Sequence, residues 1–97
     1  MNPISLISPH CLKISGDVTF DNVQDLNKEA QSYLLKNPIA EIDLSGIKNC
    51  DSAALLLLLN LWRQSRLKNC PFQYLNLPAQ LVRLMNLSNL NKLLTPS

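Results

Sequence analysis

Residues 42–59 read IDLSGIKNCDSAALLLLL, and this stretch decides the fold. Its first three residues, Ile-Asp-Leu, end the segment IAEIDL, residues 39–44. The apolar positions Ile39, Ile42 and Leu44 predict a strand over this segment, which Ser45-Gly46 closes. A run of seven apolar residues then follows Ser52. Such a run behind capping residues predicts a buried helix, here from about Ser52 to Lys68.

Two short extended segments and a helix precede this unit. The segments span residues 3–7 and 11–15. Gly16-Asp17 is predicted to turn the chain after the second one, and VTF, residues 18–20, to extend the edge briefly. Asp21 stands three residues ahead of a glutamine, which is the spacing of a capping box. Asn37-Pro38 is expected to end the helix, whose apolar positions are Val23, Leu26, Ala30, Tyr33 and Leu34.

A strand and further helical segments follow the unit. The strand is FQYLNL, residues 72–77, and Pro78 suits the first turn of the next helix. The apolar stripe of that helix is predicted at Leu81, Leu84, Met85 and Leu87, and a last short helical turn at Leu90, Leu93 and Leu94.

The order of these elements predicts the fold class. Strands alternate with helices, and a chain of 97 residues is long enough to bury one core. We therefore expect an α/β fold over residues 1–97. It is a small single-domain sandwich, in which a mixed central β-sheet is covered by about four α-helices.

Composition and charge argue against several classes of function. A net charge of +2 without a Lys/Arg cluster does not predict nucleic-acid binding. The apolar run is far shorter than the ~20 residues of a spanning helix, so no direct membrane insertion is expected. The N-terminal MNPISLISPH lacks the features of a signal peptide, which favours the cytoplasm. The odd, widely spaced set of Cys11, Cys50 and Cys70 predicts free thiols.

No pattern of residues predicts catalysis. His10 is the sole histidine and falls in a proline-broken segment, so a catalytic triad has no suitable base. Two glycines are too few for a glycine-rich nucleotide loop. Turns and caps account for the aspartates without a metal role. We expect no enzyme activity, no cofactor and no metal.

The helix after Ser52 has one face suited to a core. At 100° per residue, Ala54, Leu58, Leu61 and Ser65 fall within about 60° of one another. This face is predicted to cover the sheet. The projection leaves Trp62 at its edge and does not decide whether the indole packs inward.

The opposite face of the same helix mixes polar residues with leucines. The polar residues expected there are Ser52, Asn60, Arg63 and Arg66, and the leucines are Leu56, Leu59 and Leu67. Either another element covers these leucines, or they are singly exposed, or they form an apolar patch with a polar rim, as protein interfaces do. The interface is favoured, because a small domain has difficulty burying both faces of one helix.

The start of this helix suits a negative group. Asp51 is the natural N-cap, which places Ser52 at the first helical position. The positive end of the helix dipole would tolerate a phosphate on Ser52, and that phosphate would change any surface packed against it. Capping alone is the alternative role for both residues.

Residues 42–59 resemble the STAS domain family. The shared pattern is a strand that ends in Asp-Leu-Ser-Gly, a short loop, and Asp-Ser at a helix start followed by small residues and leucines. The segment LKISGDVTFDNV, residues 12–23, extends the resemblance to nearly the whole chain. The family includes the anti-sigma factor antagonists of bacteria and cytoplasmic domains of anion transporters.

Within this family, residues 72–94 resemble the tail of the MlaB-like subunits. The resemblance implies a cytoplasmic subunit that binds the ATPase of a phospholipid ABC transporter, peripheral to the inner membrane, in the maintenance of outer-membrane lipid asymmetry. It also implies that the hydroxyl residue at the helix start and the face behind it contact that ATPase. These positions match Ser52, Leu56, Leu59, Asn60 and Arg63.

The resemblance also implies an alternative function. An anti-sigma factor antagonist would bind an anti-sigma factor kinase and be switched by phosphorylation of Ser52. Such antagonists commonly have glycine where this chain has Ala54, which weakens the analogy. Asn89 likewise replaces a frequent glycine, a change that a left-handed turn accepts.

Overall fold

The computed structural model describes residues 3–69 and 71–87, where four strands alternate with three helices. Their order is strand, strand, helix, strand, helix, strand, helix, as the sequence predicts. The α/β class is confirmed, with three helices in the described residues rather than about four. The predicted last turn at Leu90, Leu93 and Leu94 lies outside the described residues.

The four strands form one mixed sheet. Strand β1 (Ile4–Ser8) pairs antiparallel with β2 (Cys11–Val18). Strand β3 (Glu41–Cys50) pairs parallel with β2, and β4 (Gln73–Leu75) pairs parallel with β3. The spatial order β1-β2-β3-β4 follows the chain, so each new strand adds at the same edge.

This strand order places the helices. The helices are α1 (Val23–Lys36), α2 (Ala53–Leu67) and α3 (Ala79–Leu87). The crossovers β2-α1-β3 and β3-α2-β4 step in the same direction across the sheet. Because parallel crossovers are almost always right-handed, both helices lie on the same face of the sheet. Helix α3 packs beside α2.

One core fills the space between this sheet face and the helices. Leu12 and Ile14 on β2 and Ile42 and Leu44 on β3 are fully buried there, while alternate residues such as Lys13 are partly exposed. This alternation is what a strand with one covered face requires. From the helices, the core receives Leu26, Ala30, Leu58, Leu61, Leu81 and Met85.

Two predicted strand ends are wrong, and glycine explains both. Strand β2 runs through Gly16 to Val18, and β3 runs through Gly46 to Cys50. The β2–β3 pairing shifts its register beside these glycines, between Lys13 and Ser15 and again after Gly16. Gly16 has a φ of +82°, which favours glycine. Here glycine marks bulges in a continuous ladder rather than turns.

The predicted capping box at Asp21 is also wrong. Helix α1 begins at Val23, and Asn22 precedes it without a side-chain cap bond. The Asn22 side chain instead closes the preceding turn: its Oδ1 accepts from the Thr19 backbone N–H at 2.9 Å, and its Nδ2 donates to the Asp17 carbonyl at 2.8 Å. The turn therefore satisfies its own polar groups before the helix begins. The predicted end at Asn37 is confirmed.

The third helix deviates from its predicted stripe at one position. Leu81 and Met85 are buried and Leu84 is partly buried, but Leu87 is 80% exposed in the last turn of α3. The helical period places Leu87 one turn beyond Leu84, where the described residues do not cover it.

The thiols agree with the expectation as far as they are described. Cys11 and Cys50 are free and buried, and Cys70 lies outside the described residues, as does Asn89.

Candidate functional site

The N-terminus of α2 is held by bonds from Asp51. The Asp51 Oδ1 accepts from the Ala53 N–H at 2.8 Å, and the Asp51 carbonyl accepts from the Ala54 N–H at 3.0 Å. The Asp51 N–H donates to the carbonyl of Val18 at 3.3 Å, which fixes the helix start to the end of β2. Ser52 has helical φ and ψ of −64° and −15°, is exposed, and makes no side-chain cap bond. The Ser52 hydroxyl is therefore presented to solvent.

Two further bonds hold α2 against the rest of the domain. The Gln80 Nε2 on α3 donates to the Cys50 carbonyl at 2.7 Å, just before the helix start. The Tyr74 hydroxyl on β4 donates to the Leu58 carbonyl at 2.6 Å, in the middle of the helix. Polar residues on a short strand and on a helix surface carry no pattern that predicts such bonds, so the sequence does not reveal them.

The predicted core face of α2 is confirmed. Ala54, Leu58, Leu61 and Ser65 are all buried. The Ser65 hydroxyl donates to the Trp62 carbonyl at 2.7 Å, which satisfies the one polar side chain on this face.

The outer side of α2 carries the five residues singled out in the sequence. We call Ser52, Leu56, Leu59, Asn60 and Arg63 the α2 face. Leu56 is 52% exposed, and Ser52, Asn60 and Arg63 are exposed around it. Leu59 is partly buried and packs against the core, so the domain itself covers part of one leucine. The structure thus leaves an apolar centre at Leu56 with polar neighbours along one helix.

The last turns of α2 carry cations beside Trp62. The indole is partly buried and packs against the core, which settles the orientation that the sequence left open. The Arg66 guanidinium lies 4.9 Å from the centre of the ring, at cation–π distance. Trp62 is therefore covered on two sides.

The titratable groups near the sheet serve the fold. Burial raises the pKa of the thiols of Cys11 and Cys50, so at neutral pH both are poor nucleophiles. Burial also raises the pKa of the Tyr74 hydroxyl well above its usual value, and this hydroxyl is a bound donor. His10 lies exposed between β1 and β2, with its Nδ1 3.0 Å from the carbonyl of Pro38. None of these groups lies on the α2 face.

The described residues hold neither a cluster of metal-ligating side chains nor a membrane-spanning helix. Across residues 3–69 and 71–87, no three His, Cys, Asp or Glu side chains are grouped so as to hold a metal ion. In the same ranges, no helix is long and apolar enough to cross a membrane.

Fold and site together define a class of protein: a small α/β domain in which one long helix beside a mixed sheet presents its outer face. Solved structures with this fold include the anti-sigma factor antagonist SpoIIAA in its unphosphorylated form. It aligns with a TM-score of 0.70 at 13% sequence identity, over 92% of this chain and 81% of that one. A putative anti-sigma factor antagonist from Thermotoga maritima aligns with a TM-score of 0.77 at 16% identity, over 96% of this chain and 82% of that one. At these identities the likeness shows the fold alone.

Sequence comparison then identifies the family. The family model described as Mlab, STAS domain matches residues 7–95. Because the match spans nearly the whole sequence, the chain belongs to this STAS domain family, as its motifs predict. No curated protein sequence matches the chain. STAS domains are protein-interaction modules, which supports a protein partner in general.

Proposed function

We propose that this chain is a non-catalytic accessory subunit that binds and regulates the ATPase of a phospholipid-transporting ABC system. The observation that carries the proposal is the match of residues 7–95 to the family described as Mlab. In this role the domain lies in the cytoplasm, is held at the inner membrane by its partner, and contributes to outer-membrane lipid asymmetry.

The α2 face supplies the contact surface in this proposal. An exposed leucine with polar neighbours on a firmly held helix is the composition of an interface centre and rim. Leu56 would fill an apolar pocket of the ATPase, while Ser52, Asn60 and Arg63 would meet its polar groups. A central contact of this kind contributes about 2 kcal/mol or more to binding.

Regulation follows if the ATPase has two arrangements. Docking raises the activity of the ATPase only if α2 binds its active arrangement more tightly than its inactive one. The bonds from Asp51, Gln80 and Tyr74 keep α2 in one position, so little ordering would oppose docking. The domain would bind one arrangement of the ATPase more tightly and thereby stabilise it.

The test is a binding and activity assay with the purified ATPase subunit of the same organism. Ser52→Arg places a long charged side chain in the contact and should lower affinity about 30-fold or more, the equivalent of about 2 kcal/mol. Ser5→Arg is the matched control, because Ser5 is also exposed but lies on the edge strand β1. The wild type and Ser5→Arg should bind and change the ATP hydrolysis rate, and Ser52→Arg should do neither.

Two results would contradict the proposal. One is an ATPase that neither binds the wild-type domain nor changes its ATP hydrolysis rate when the domain is added. The other is a Ser52→Arg domain that binds as well as the control. Circular dichroism of each variant checks that the fold is intact.

A second candidate function has its own support. The exposed Ser52 hydroxyl makes no cap bond at the start of α2, and the fold is that of anti-sigma factor antagonists. A phosphate there would add a charge of about −1.5 to −2 at the positive end of the helix. Incubation with a purified anti-sigma factor kinase and ATP tests this reading. An anti-sigma factor antagonist should carry phosphate on Ser52 after this incubation. The Ser52→Ala variant should carry none, and Ser52→Asp should no longer bind the kinase.

A further inference from the structure

The two halves of the chain carry opposite charge. Residues 1–51 hold all seven Asp and Glu side chains and four of the nine Lys and Arg, a net charge of −3. Residues 52–97 hold the other five Lys and Arg and no carboxylate side chain, a net charge of +5. Helix α2 is thus a long surface helix without an acidic residue, whereas α1 mixes Asp25 and Glu29 with Lys28 and Lys36.

Three cations of the second half lie near the C-terminal end of α2: Arg63 and Arg66 line a surface depression with Trp62 and Leu67, and Lys68 lines the groove toward α1. Arg63, Arg66 and Lys68 are all exposed. Among residues 3–69 and 71–87, neither the guanidinium of Arg63 nor the ammonium of Lys68 has a hydrogen-bond or ion-pair partner, and Arg66 contacts the Trp62 ring. Their charge is therefore not neutralised by the described part of the domain.

Neighbouring elements do not supply the missing carboxylates. The groove between α1 and this end of α2 is lined on the α1 side by uncharged residues, among them Gln31 and Leu34. Glu29 lies in another surface depression, with Tyr33 and Lys36. Arg63 and Arg66 thus form a single-sign surface, one with positive charges only, and Lys68 lies apart from it in the groove toward α1.

Helix electrostatics alone do not explain this distribution. The negative C-terminal end of a helix favours cations, which accounts for Arg66 and Lys68. At the other end of the helix, the dipole is met by the Asp51 carboxylate, which accepts from the Ala53 N–H. The dipole does not account for Arg63, which lies a full turn before the helix end and belongs to the α2 face.

We infer that the partner docked on α2 presents an acidic protein surface to Arg63 and Arg66. This inference rests on the proposed function and adds the chemistry of the partner: Asp and Glu side chains opposite these cations, beside the apolar contact made by Leu56. Complementary charge at one end of the helix fixes the orientation of docking and accelerates encounter.

An anionic membrane is the competing occupant, and the magnitudes disfavour it. A basic residue near an anionic bilayer contributes about 1 kcal/mol, so Arg63 and Arg66 contribute about 2 kcal/mol, which is weak binding. An aromatic anchor would strengthen it, but Trp62 packs against the core under Arg66. The single-sign surface fits a protein partner better.

The test measures association of the full chain with the purified ATPase subunit over a range of NaCl concentrations. Arg63→Glu/Arg66→Glu should lower the association rate constant at least about 10-fold at low salt and flatten its salt dependence. Lys28→Glu/Lys36→Glu is the matched control, with the same change in net charge at two exposed positions of α1. It should change the rate no more than about twofold, on the same steering argument.

A cross-linking arm identifies the chemistry of the partner. Arg63→Lys/Arg66→Lys keeps the charges and makes both positions reactive to a carbodiimide, which joins a lysine amine to a carboxylate in contact. Cross-linked peptides should connect positions 63 or 66 to Asp or Glu of the ATPase. Their absence from a complex that forms normally overturns the inference.

The remaining outcomes separate the two proposals. Equal slowing by both charge-reversal pairs overturns the inference while the proposed function stands. A wild-type domain that does not bind the ATPase overturns both.

In a third arm, vesicles of phosphatidylglycerol and phosphatidylcholine replace the ATPase. Vesicle binding that needs Arg63 and Arg66, with ATPase binding independent of them, assigns the surface to the membrane and overturns the inference.

Discussion

At the scale of single residues, Leu56 and Leu58 show how position on α2 decides the role of a leucine. Leu58 is 1% exposed between the sheet and the helices, whereas Leu56 is 52% exposed two positions earlier. The two side chains are chemically the same and lie in the same apolar run. The period of the helix separates them, so the sequence predicts this difference directly.

Truncation of the two leucines should have opposite consequences. Leu58→Ala removes buried methyl groups and should lower the free energy of unfolding by about 2–5 kcal/mol. Leu56→Ala should change it by no more than about 0.5 kcal/mol but weaken partner binding. Urea denaturation and an affinity measurement on both variants check this. Equal loss of stability in the two would place Leu56 in the core, contrary to the structure.

Asp43 provides a test of pH dependence. Hydrogen bonds from the Ser45 N–H at 2.9 Å and from the Asn76 side chain at 3.1 Å, together with the charge of Lys13, hold the pKa of the Asp43 carboxyl below its usual 3.8. Because the pKa is lowered on folding, the carboxylate adds stability above pH 3.8, and this stability is lost as the pH falls through the folded-state pKa.

Asp43→Asn isolates this contribution, since the amide oxygen still accepts both bonds but carries no charge. The free energy of unfolding of the wild type should fall more steeply below pH 3.8 than that of Asp43→Asn. Denaturation of both proteins at a series of acid pH values measures the difference. Parallel curves would show that the Asp43 carboxyl titrates alike in the folded and unfolded chains.

At the scale of elements, the sequence predicts which strands and helices exist better than where they end. The order of all seven described elements follows from apolar periodicity. The ends of β2 and β3 do not, because glycine beside a polar residue reads equally as a turn or as a bulge. Only the pairing of the two strands, which brings Ser15 opposite Gly46, decides between these readings.

Gly46 tests the bulge directly. A Cβ at this position would lie 2.5 Å from the Ser15 Oγ and 2.9 Å from its Cβ, closer than real Cβ atoms approach other atoms. Gly46→Ala should therefore lower the free energy of unfolding by about 1–3 kcal/mol through overpacking. Ser15→Gly removes the nearest atoms, so the double variant should lose less than the sum of the two single variants. Strict additivity in urea denaturation would show that the two positions do not touch.

At the scale of the whole molecule, three elements hold α2 by hydrogen bonds, and the outer face of the helix remains open. The end of β2, strand β4 and helix α3 each bond the helix or its approach through Val18, Tyr74 and Gln80. The helical period predicts which residues lie on the open side. The bonds that hold the helix in place, and the partial cover of Leu59, depend on tertiary contacts that no local pattern encodes.

The identity of the partner is the central claim, and one measurement tests it most directly. Tagged wild-type and Ser52→Arg chains are used to capture partners from the membranes and cytosol of the native organism, and the partners are identified by mass spectrometry. The account predicts that the wild type retains an ABC transporter ATPase and that Ser52→Arg loses it while remaining folded. Retention of an anti-sigma factor kinase instead, or of the same ATPase by both chains, would contradict it.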